Sequence, residues 1–287
     1  MEGVFTQTLV SGILIGFVYA LIAVGLTMIF GMMDIVNFAH GEYLMLAMYF
    51  AYWFFMLFGM DPLFSLPLVT ALLFLFGVIT YYIFIKPIIN APMLSQIFVT
   101  FGILILLRGL AQYFWKVDYR MIPQTLSSGN IGVFGVYIGI PQLVAAGGAV
   151  LCNGLIFLFL KSTKVGMALE AVAEDKEAAK LMGIKSNQMF ALAWGIGIAT
   201  VGVAGALLSS FYYVFPEVGA NFCLIAFVVV ALGGFGSVAG AFIAGIIVGL
   251  VEVLSGYLIA PSLKFMFVLI LYLGVVLIRP QGLMGRK

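Results

Sequence analysis

Charge is what this chain has least of. Asp, Glu, Lys and Arg make up 8% of its 287 residues, against roughly 25% in ordinary globular chains. With so few charges and a mean hydropathy of +1.24, a separate soluble domain is excluded. The net charge of +2 is too small to indicate a nucleic-acid partner. Histidine occurs once, as His40, so neither an HExxH zinc site nor an imidazole cluster can be built. Cys152 and Cys223 lie in separate apolar runs without CxxC spacing, so no disulfide framework or thiolate metal site is indicated. Two buried thiols are expected instead. No GxxxxGK[ST] occurs, so the chain carries no phosphate loop for ATP, and no cofactor is expected in it. Ser237 has no GxSG setting and nothing in the sequence brings it to His40, which leaves an intramembrane enzyme without support. No basic leader precedes the first apolar run, Gly3 to Met33, which reads as a retained span.

What the sequence does have is apolar length. Hydrophobic residues are 64% of the chain, in runs that are continuously apolar. Barrel strands would alternate instead, so the pattern predicts an all-α polytopic membrane protein. With roughly 20 residues needed per crossing, about nine spans fit. They cover 5–30, 42–58, 62–85, 92–114, 141–160, 188–212, 220–235, 239–258 and 262–279.

One water-facing island interrupts them. Thr163 to Ile184 holds the densest charge in the chain, between uncharged runs from Met121 to Leu160 and from Ser186 to Pro216. Within it Asp175 is positioned as an N-cap, Glu177 places negative charge in the first turn, and Gly183 can end the helix. Ala178 and Ala179 are small, and Leu181 and Met182 add an apolar edge spaced to lie beside Ala178. Such a surface suits docking into a groove on another protein. An ordinary loop helix is the bland alternative.

Placing this island in the cytoplasm puts Lys86, Lys161, Lys164, Lys176, Lys180, Lys185, Arg279, Arg286 and Lys287 inside. Lys116, Arg120 and Lys264 then lie outside and Arg108 within a span, in keeping with the positive-inside rule. The N-terminus is then outside and the C-terminus inside. The outer loop 116–137 contains a turn cluster, Ser127 to Asn130, followed by the β-branched and aromatic stretch Ile131 to Tyr137. This predicts a small hairpin or surface ribbon on the periplasmic side, either a contact for a soluble partner or a simple connecting loop.

Two stretches interrupt the apolar pattern. Gly31 to Glu42 brings Asp34, Asn37, His40 and Glu42 between apolar runs, and Leu232 to Ala241 is rich in glycine. Broken helices in two halves point to an inverted pseudo-repeat around a central pathway, with Asn37, His40, Glu42, Gly233, Gly234, Gly236 and Ser237 as its candidates. The bland readings are an interfacial turn for the first and small-residue packing for the second. Arg108 and Glu252 are costly in hydrocarbon, so each should face protein or an interface. Arg108 has the option of snorkelling past Tyr113 and Trp115.

Glu177-Ala178-Ala179, with Gly183 following after Lys180, Leu181 and Met182, resembles the EAA-type loop of bacterial ABC importer permeases. Asn37-Phe38-Ala39-His40-Gly41-Glu42, then Leu232-Gly233-Gly234-Phe235-Gly236-Ser237 with Gly240-Ala241, then Arg279-Pro280-Gln281-Gly282-Leu283 are similar to the permease of branched-chain amino acid importers. Gly166 to Leu169 and Ala173-Glu174-Asp175 fit the same family, while Glu170 stands where many members have a basic residue. The resemblance implies one transmembrane permease unit over 1–287, with 163–185 as its cytoplasmic coupling loop. Glu174, Asp175, Glu177, Ala178, Ala179, Leu181, Met182 and Gly183 would form the ATPase-coupling surface. It further implies a bacterial inner-membrane location and two ABC ATPase subunits carrying ATP and Mg. A homologous permease and a periplasmic solute-binding protein complete the implied assembly. The substrate class implied is branched-chain amino acids or related small organic solutes. An ion-coupled carrier using Glu42, Glu252 or His40 is the rival reading.

Overall fold

The computed structural model describes residues 2–133, 136–279 and 281–285. Phe134, Gly135, Pro280, Arg286 and Lys287, which figure in the expectations above, lie outside the described residues. Among the described residues, eight helical stretches are long and apolar enough to cross a membrane. They are α1 (Glu2–Met33), α2 (His40–Phe58), α3 (Pro62–Thr80, continued as π and 3-10 turns to Ile88), α4 (Met93–Trp115) and α5 (Ile140–Ser162), then α8 (Ser186–Leu208), α10 (Val238–Leu258) and α11 (Lys264–Ile278, with a 3-10 turn before it). A ninth apolar helix, α9 (Val218–Gly233), is 16 residues long. It falls on the expected span 220–235 but is shorter than a full crossing, because its first turn starts inside the bundle. Two short helices, α6 (Lys164–Glu174) and α7 (Lys176–Leu181), fill the charged island. Strands β1 (Asn130–Val133) and β2 (Val136–Gly139) form the expected hairpin, with Asn130 opposite Gly139 and Val133 opposite Val136.

Without a hydrophobic drive between helices in lipid, close packing through small residues has to supply the association. The α1–α10 seam shows this. Gly16 faces the backbone of Gly245 and Ile246, and Gly249 lies so near Gly16 that an added Cβ would stand 2.5 Å from the Gly16 Cα. Gly245 is equally tight against Ala20. The heart of the bundle is built from α1, α2, α8 and α9, where Trp194, Tyr43, Leu21, Ile22 and Ile29 are fully buried. Helices α3, α4, α5 and α11 line the outside, and side chains such as Phe64, Phe98, Ile105, Leu151 and Leu273 point outwards.

The two interrupted stretches are resolved differently. Gly233 to Ser237 is the tight turn joining α9 to α10, with Gly234 at φ 101° and Gly236 at φ 81°. Ser237 caps α10 by accepting the Gly240 N–H at 3.1 Å. The tail closes over this turn: the N–H groups of Leu283 and Met284 donate to the carbonyls of Leu232 and Gly233 at 2.8 and 3.0 Å. Those carbonyls end α9 and would otherwise lack partners. Two of the motifs carrying the family resemblance therefore meet in space.

The first stretch is a true break. Gly31 lies against Gly236 at the end of the bundle that carries α6 and α7. His40, the first residue of α2, has its Nε2 2.9 Å from the Ile22 carbonyl, which is about 13 Å deeper along α1 at ~1.5 Å per residue. The non-helical residues 34–39 thus climb back into the bundle, and α2 starts in its interior. A leucine at Gly249 would drive α1 and α10 apart, so Gly249→Leu should cost about 1–3 kcal/mol. A lowered thermal midpoint of the purified protein in detergent checks this, and an unchanged midpoint would mean the seam is looser than described.

Candidate functional site: the island surface and the helix break

Helices α6 and α7 are set by their caps. Thr163 accepts the Gly166 N–H at 2.9 Å and starts α6. Gly166 then lies so close to α5 that a Cβ would fall 2.2 Å from the Phe159 carbonyl oxygen, while Leu169 and Val172 are buried against the bundle. Asp175 ends α6 and caps α7, its Oδ1 accepting the N–H groups of Glu177 and Ala178 at 2.9 Å each. At the far end Gly183 adopts φ 82°. Its N–H donates to Lys180 and that of Ile184 to Ala179, at 3.0 and 3.1 Å. That double bond pattern is a Schellman stop. The caps expected at Asp175 and Gly183 are both present, and α7 has the expected length.

The exposed face differs from the expectation in one respect. Ala179 is buried, 4% exposed, so it turns toward the bundle rather than outward. Its small size lets α7 lie close to its own support. The outward surface is Ala178 with Leu181 and Met182, which are 89% and 83% exposed. Lys176 bends back over the ring of Phe190 at 5.3 Å. Glu174 and Lys176 border a cavity of about 550 Å³ with Asp34, Gln96 and Phe190. A neighbouring cavity of about 490 Å³ is bordered by Asp34, Lys161, Glu170, Gly236 and Ser237. Of the residues singled out in the glycine-rich turn, Gly236 and Ser237 thus face open space. Gly233 and Gly234 are enclosed, Gly233 by α10 and Gly234 by the tail.

Asn37, His40 and Glu42 are 0%, 0% and 1% exposed, enclosed by protein. Asn37 Oδ1 accepts the Ala39 N–H at 3.1 Å and shapes the turn into α2. His40 is held by Ile22 and is far from Ser237, at the opposite limit of the climbing segment, so the two form no dyad. Next to His40, Gly41 meets Gly219 in the first turn of α9; a Cβ on Gly41 would fall 2.0 Å from the Gly219 carbonyl oxygen. The N-termini of α2 and α9 therefore start side by side within the bundle. Each presents the positive end of a helix dipole, with first-turn N–H groups partly paired to nearby carbonyls: His40 to Asn37, Glu42 and Tyr43 to Ala39, and Ala220 to Glu217.

Two carboxylates answer that positive charge. Glu42 lies in the first turn of α2 and is ion-paired with Arg108 of α4. Glu217 stands at the N-cap of α9 and accepts the Gln112 side-chain N–H at 2.8 Å, one turn along α4 from Arg108. Arg108 is therefore a tether for the buried helix starts, and it does not snorkel. Sequence reading missed this because nothing in the spacing of Glu42, Arg108 and Glu217 links them. Glu252, the other span carboxylate, accepts from Tyr19 at 2.6 Å and Lys264 at 2.7 Å. Removing one member of a buried ion pair leaves the other uncompensated, at a cost of about 3–5 kcal/mol. Glu42→Gln should therefore lower the thermal midpoint of the detergent-solubilised protein more than Glu42→Gln combined with Arg108→Gln. Additive losses in this pair of measurements would show that the two side chains are not coupled.

The comparisons with known proteins agree with this architecture. The model of the family described as "Branched-chain amino acid transport system / permease component" matches residues 8–276. The high-affinity branched-chain amino acid transport system permease protein BraD of Pseudomonas aeruginosa is 32% identical, over 98% of this chain and 96% of its own length. LivH of Escherichia coli K12, of the same description, is 31% identical with the same coverage. A probable branched-chain amino acid transport permease protein LivH of Methanocaldococcus jannaschii is 30% identical over 92% of this chain and 88% of its own length. No solved structure gives a significant match. These relatives are transport subunits and not enzymes, and with them this multi-pass chain belongs to the family of permease components of branched-chain amino acid transport systems.

Proposed function

We propose that this chain is one permease subunit of an ATP-driven importer in a bacterial inner membrane. The assembly moves branched-chain amino acids or related small polar solutes into the cytoplasm. The observation that carries the reading is α7: a helix capped at both ends, backed by buried Ala179, offering Ala178, Leu181 and Met182 outward. An exposed apolar edge of this kind fits the groove of a motor subunit better than it fits water. Two ABC ATPase subunits supply that groove and hold the ATP and Mg that this chain does not bind. Glu174, Asp175, Glu177 and Gly183 shape and border the coupling surface.

Charge supports the orientation. Lys86, Lys161, Lys164, Lys176, Lys180, Lys185 and Arg279 gather at the α6–α7 end, and Lys116, Arg120 and Lys264 at the other. The positive-inside rule places the first group in the cytoplasm. Loop 116–137 and its hairpin then face the periplasm, where a solute-binding protein delivers substrate. A homologous permease covers the other half of the pathway. Substrate leaves through the space bordered by Gly236, Ser237 and Asp34, while Asn37, His40 and Glu42 hold the interior helix starts that flank it. An ion-coupled carrier would need a carboxylate free to exchange its proton. Here Glu42 is paired with Arg108 and Glu252 with Lys264, which favours the ATP-driven reading.

A moving ATPase can drive the bundle only if it binds this helix differently in its two states. Central interface side chains typically contribute about 2 kcal/mol or more each. Ala178→Glu combined with Leu181→Asp should therefore weaken ATPase binding about 30-fold or more, leaving the permease folded because neither side chain is buried. Co-purification of the ATPase subunits and ATP-driven L-leucine uptake in proteoliposomes read both effects. Undiminished ATPase binding by the double variant would overturn the docking assignment.

A further inference from the structure

At the end of the bundle opposite α6 and α7, the short α9 leaves a hollow above its first turns. It is a cavity of about 290 Å³ bounded by α1, α9, α10 and α11, at the small end of ligand-pocket sizes of ≈ 300–1,000 Å³. One side of it is charged. Glu252 is 3% exposed, with Oε2 receiving the Tyr19 hydroxyl at 2.6 Å and Oε1 receiving Lys264 Nζ at 2.7 Å. The rest of the lining is mixed: Ile15, Phe222 and Ile225 give it an apolar patch, beside polar Ser11, Gln142, Tyr212 and Asn221. A carboxylate buried in a span is expensive, and a simple latch between α10 and α11 could have been made from apolar contacts at no such cost.

We infer that this cavity is a landing site for a zwitterionic amino acid with an apolar side chain. The inference rests on the importer reading above, which turns this end of the bundle toward the periplasm. Lys264 has an ammonium with three N–H donors and one side-chain acceptor, Glu252, and its side chain is 38% exposed at the rim. The ligand carboxylate takes the remaining donors. The Glu252 oxygens each have a second acceptor site, which receives the ligand ammonium. The ligand's hydrocarbon chain then lies on Phe222 and Ile225. A zwitterion adds no net charge to the site, whereas a dicarboxylate or a diamine leaves one charge without a partner. The charge pair thus sets the class of solute, and the apolar patch sets its side chain.

The test uses the complete complex, with its companion subunits, in lipid nanodiscs and without the solute-binding protein. A diazirine analogue of leucine is photolysed on it and the labelled segments are located by mass spectrometry. Label is expected on the cavity-lining parts of α1, α9 and α11, competed by excess L-leucine and not by leucine amide, which lacks the carboxylate. Ser11→Trp, which places bulk at the cavity mouth and leaves the ion pair intact, should reduce that label at least fivefold. Lys264→Met should do the same, and Lys264→Arg should restore most of it. Unchanged label in Ser11→Trp, or equal competition by the amide, would overturn the site. L-leucine uptake by the wild-type complex in proteoliposomes, with its solute-binding protein supplied, is measured alongside. Uptake without competable label at these segments overturns the cavity alone, whereas absence of uptake overturns the substrate class on which it rests.

Discussion

The ion pair between Glu42 and Arg108 is the constraint on which the interior of this bundle depends. Two helices, α2 and α9, begin within it, with Gly41 against Gly219, and each brings first-turn N–H groups where water is scarce, several of them paired locally, as Glu42 is to the Ala39 carbonyl and Ala220 to that of Glu217. In hydrocarbon such groups are costly unless protein satisfies them. Glu42 places negative charge in one first turn and Glu217 stands at the N-cap position of the other without a side-chain capping bond, while Arg108 and Gln112, one turn apart on α4, hold the two carboxylates. Arg108 keeps the pair from being a bare anion in a region of low dielectric. The break at 34–39 is held by the Asn37 and His40 hydrogen bonds and the Glu42–Arg108 pair, while Asn37 Nδ2, His40 Nδ1 and Glu42 Oε2 stay buried without a hydrogen-bond partner among the described residues.

Around that interior the bundle behaves as one body. The α1–α10 seam packs backbone against backbone, and the tail donates two backbone hydrogen bonds to the end of α9. A rigid seam matters to the proposed mechanism, since a push on α7 is useful only if the helices under it do not yield. α7 is fixed to α8 through Ala179 and Lys176, and α6 to α5 through Gly166. In the proposed mechanism, force applied to this surface helix passes to the helices that border the two cavities at the α6–α7 end.

Sequence and structure agree where the physical signal is local. The spans are set by apolar length, and the nine expected stretches coincide with helices to within a few residues. Asp175 and Gly183 are legible as caps because capping acts over two to four residues. The strands of the hairpin follow from the β-branched and aromatic residues Ile131, Val133, Val136 and Tyr137. Partners across the bundle are a different matter. Arg108 lies 66 positions from Glu42, and Glu252 lies 233 from Tyr19; no spacing rule connects them. The inward turn of Ala179 was likewise hidden, since a two-alanine run in a short helix has no periodicity to say which residue faces out.

The sequence alone determined that this chain lives in a membrane as helices and that it carries one capped, charged island. Those properties follow from composition and short-range hydrogen bonding, which are written in consecutive residues. Tertiary structure decided which charges neutralise one another, that α2 and α9 start inside the bundle, and that a polar cavity opens over α9. Each of these depends on helices far apart in the chain coming within a few ångströms, where glycine lets backbones touch and a low dielectric makes every charge seek its partner.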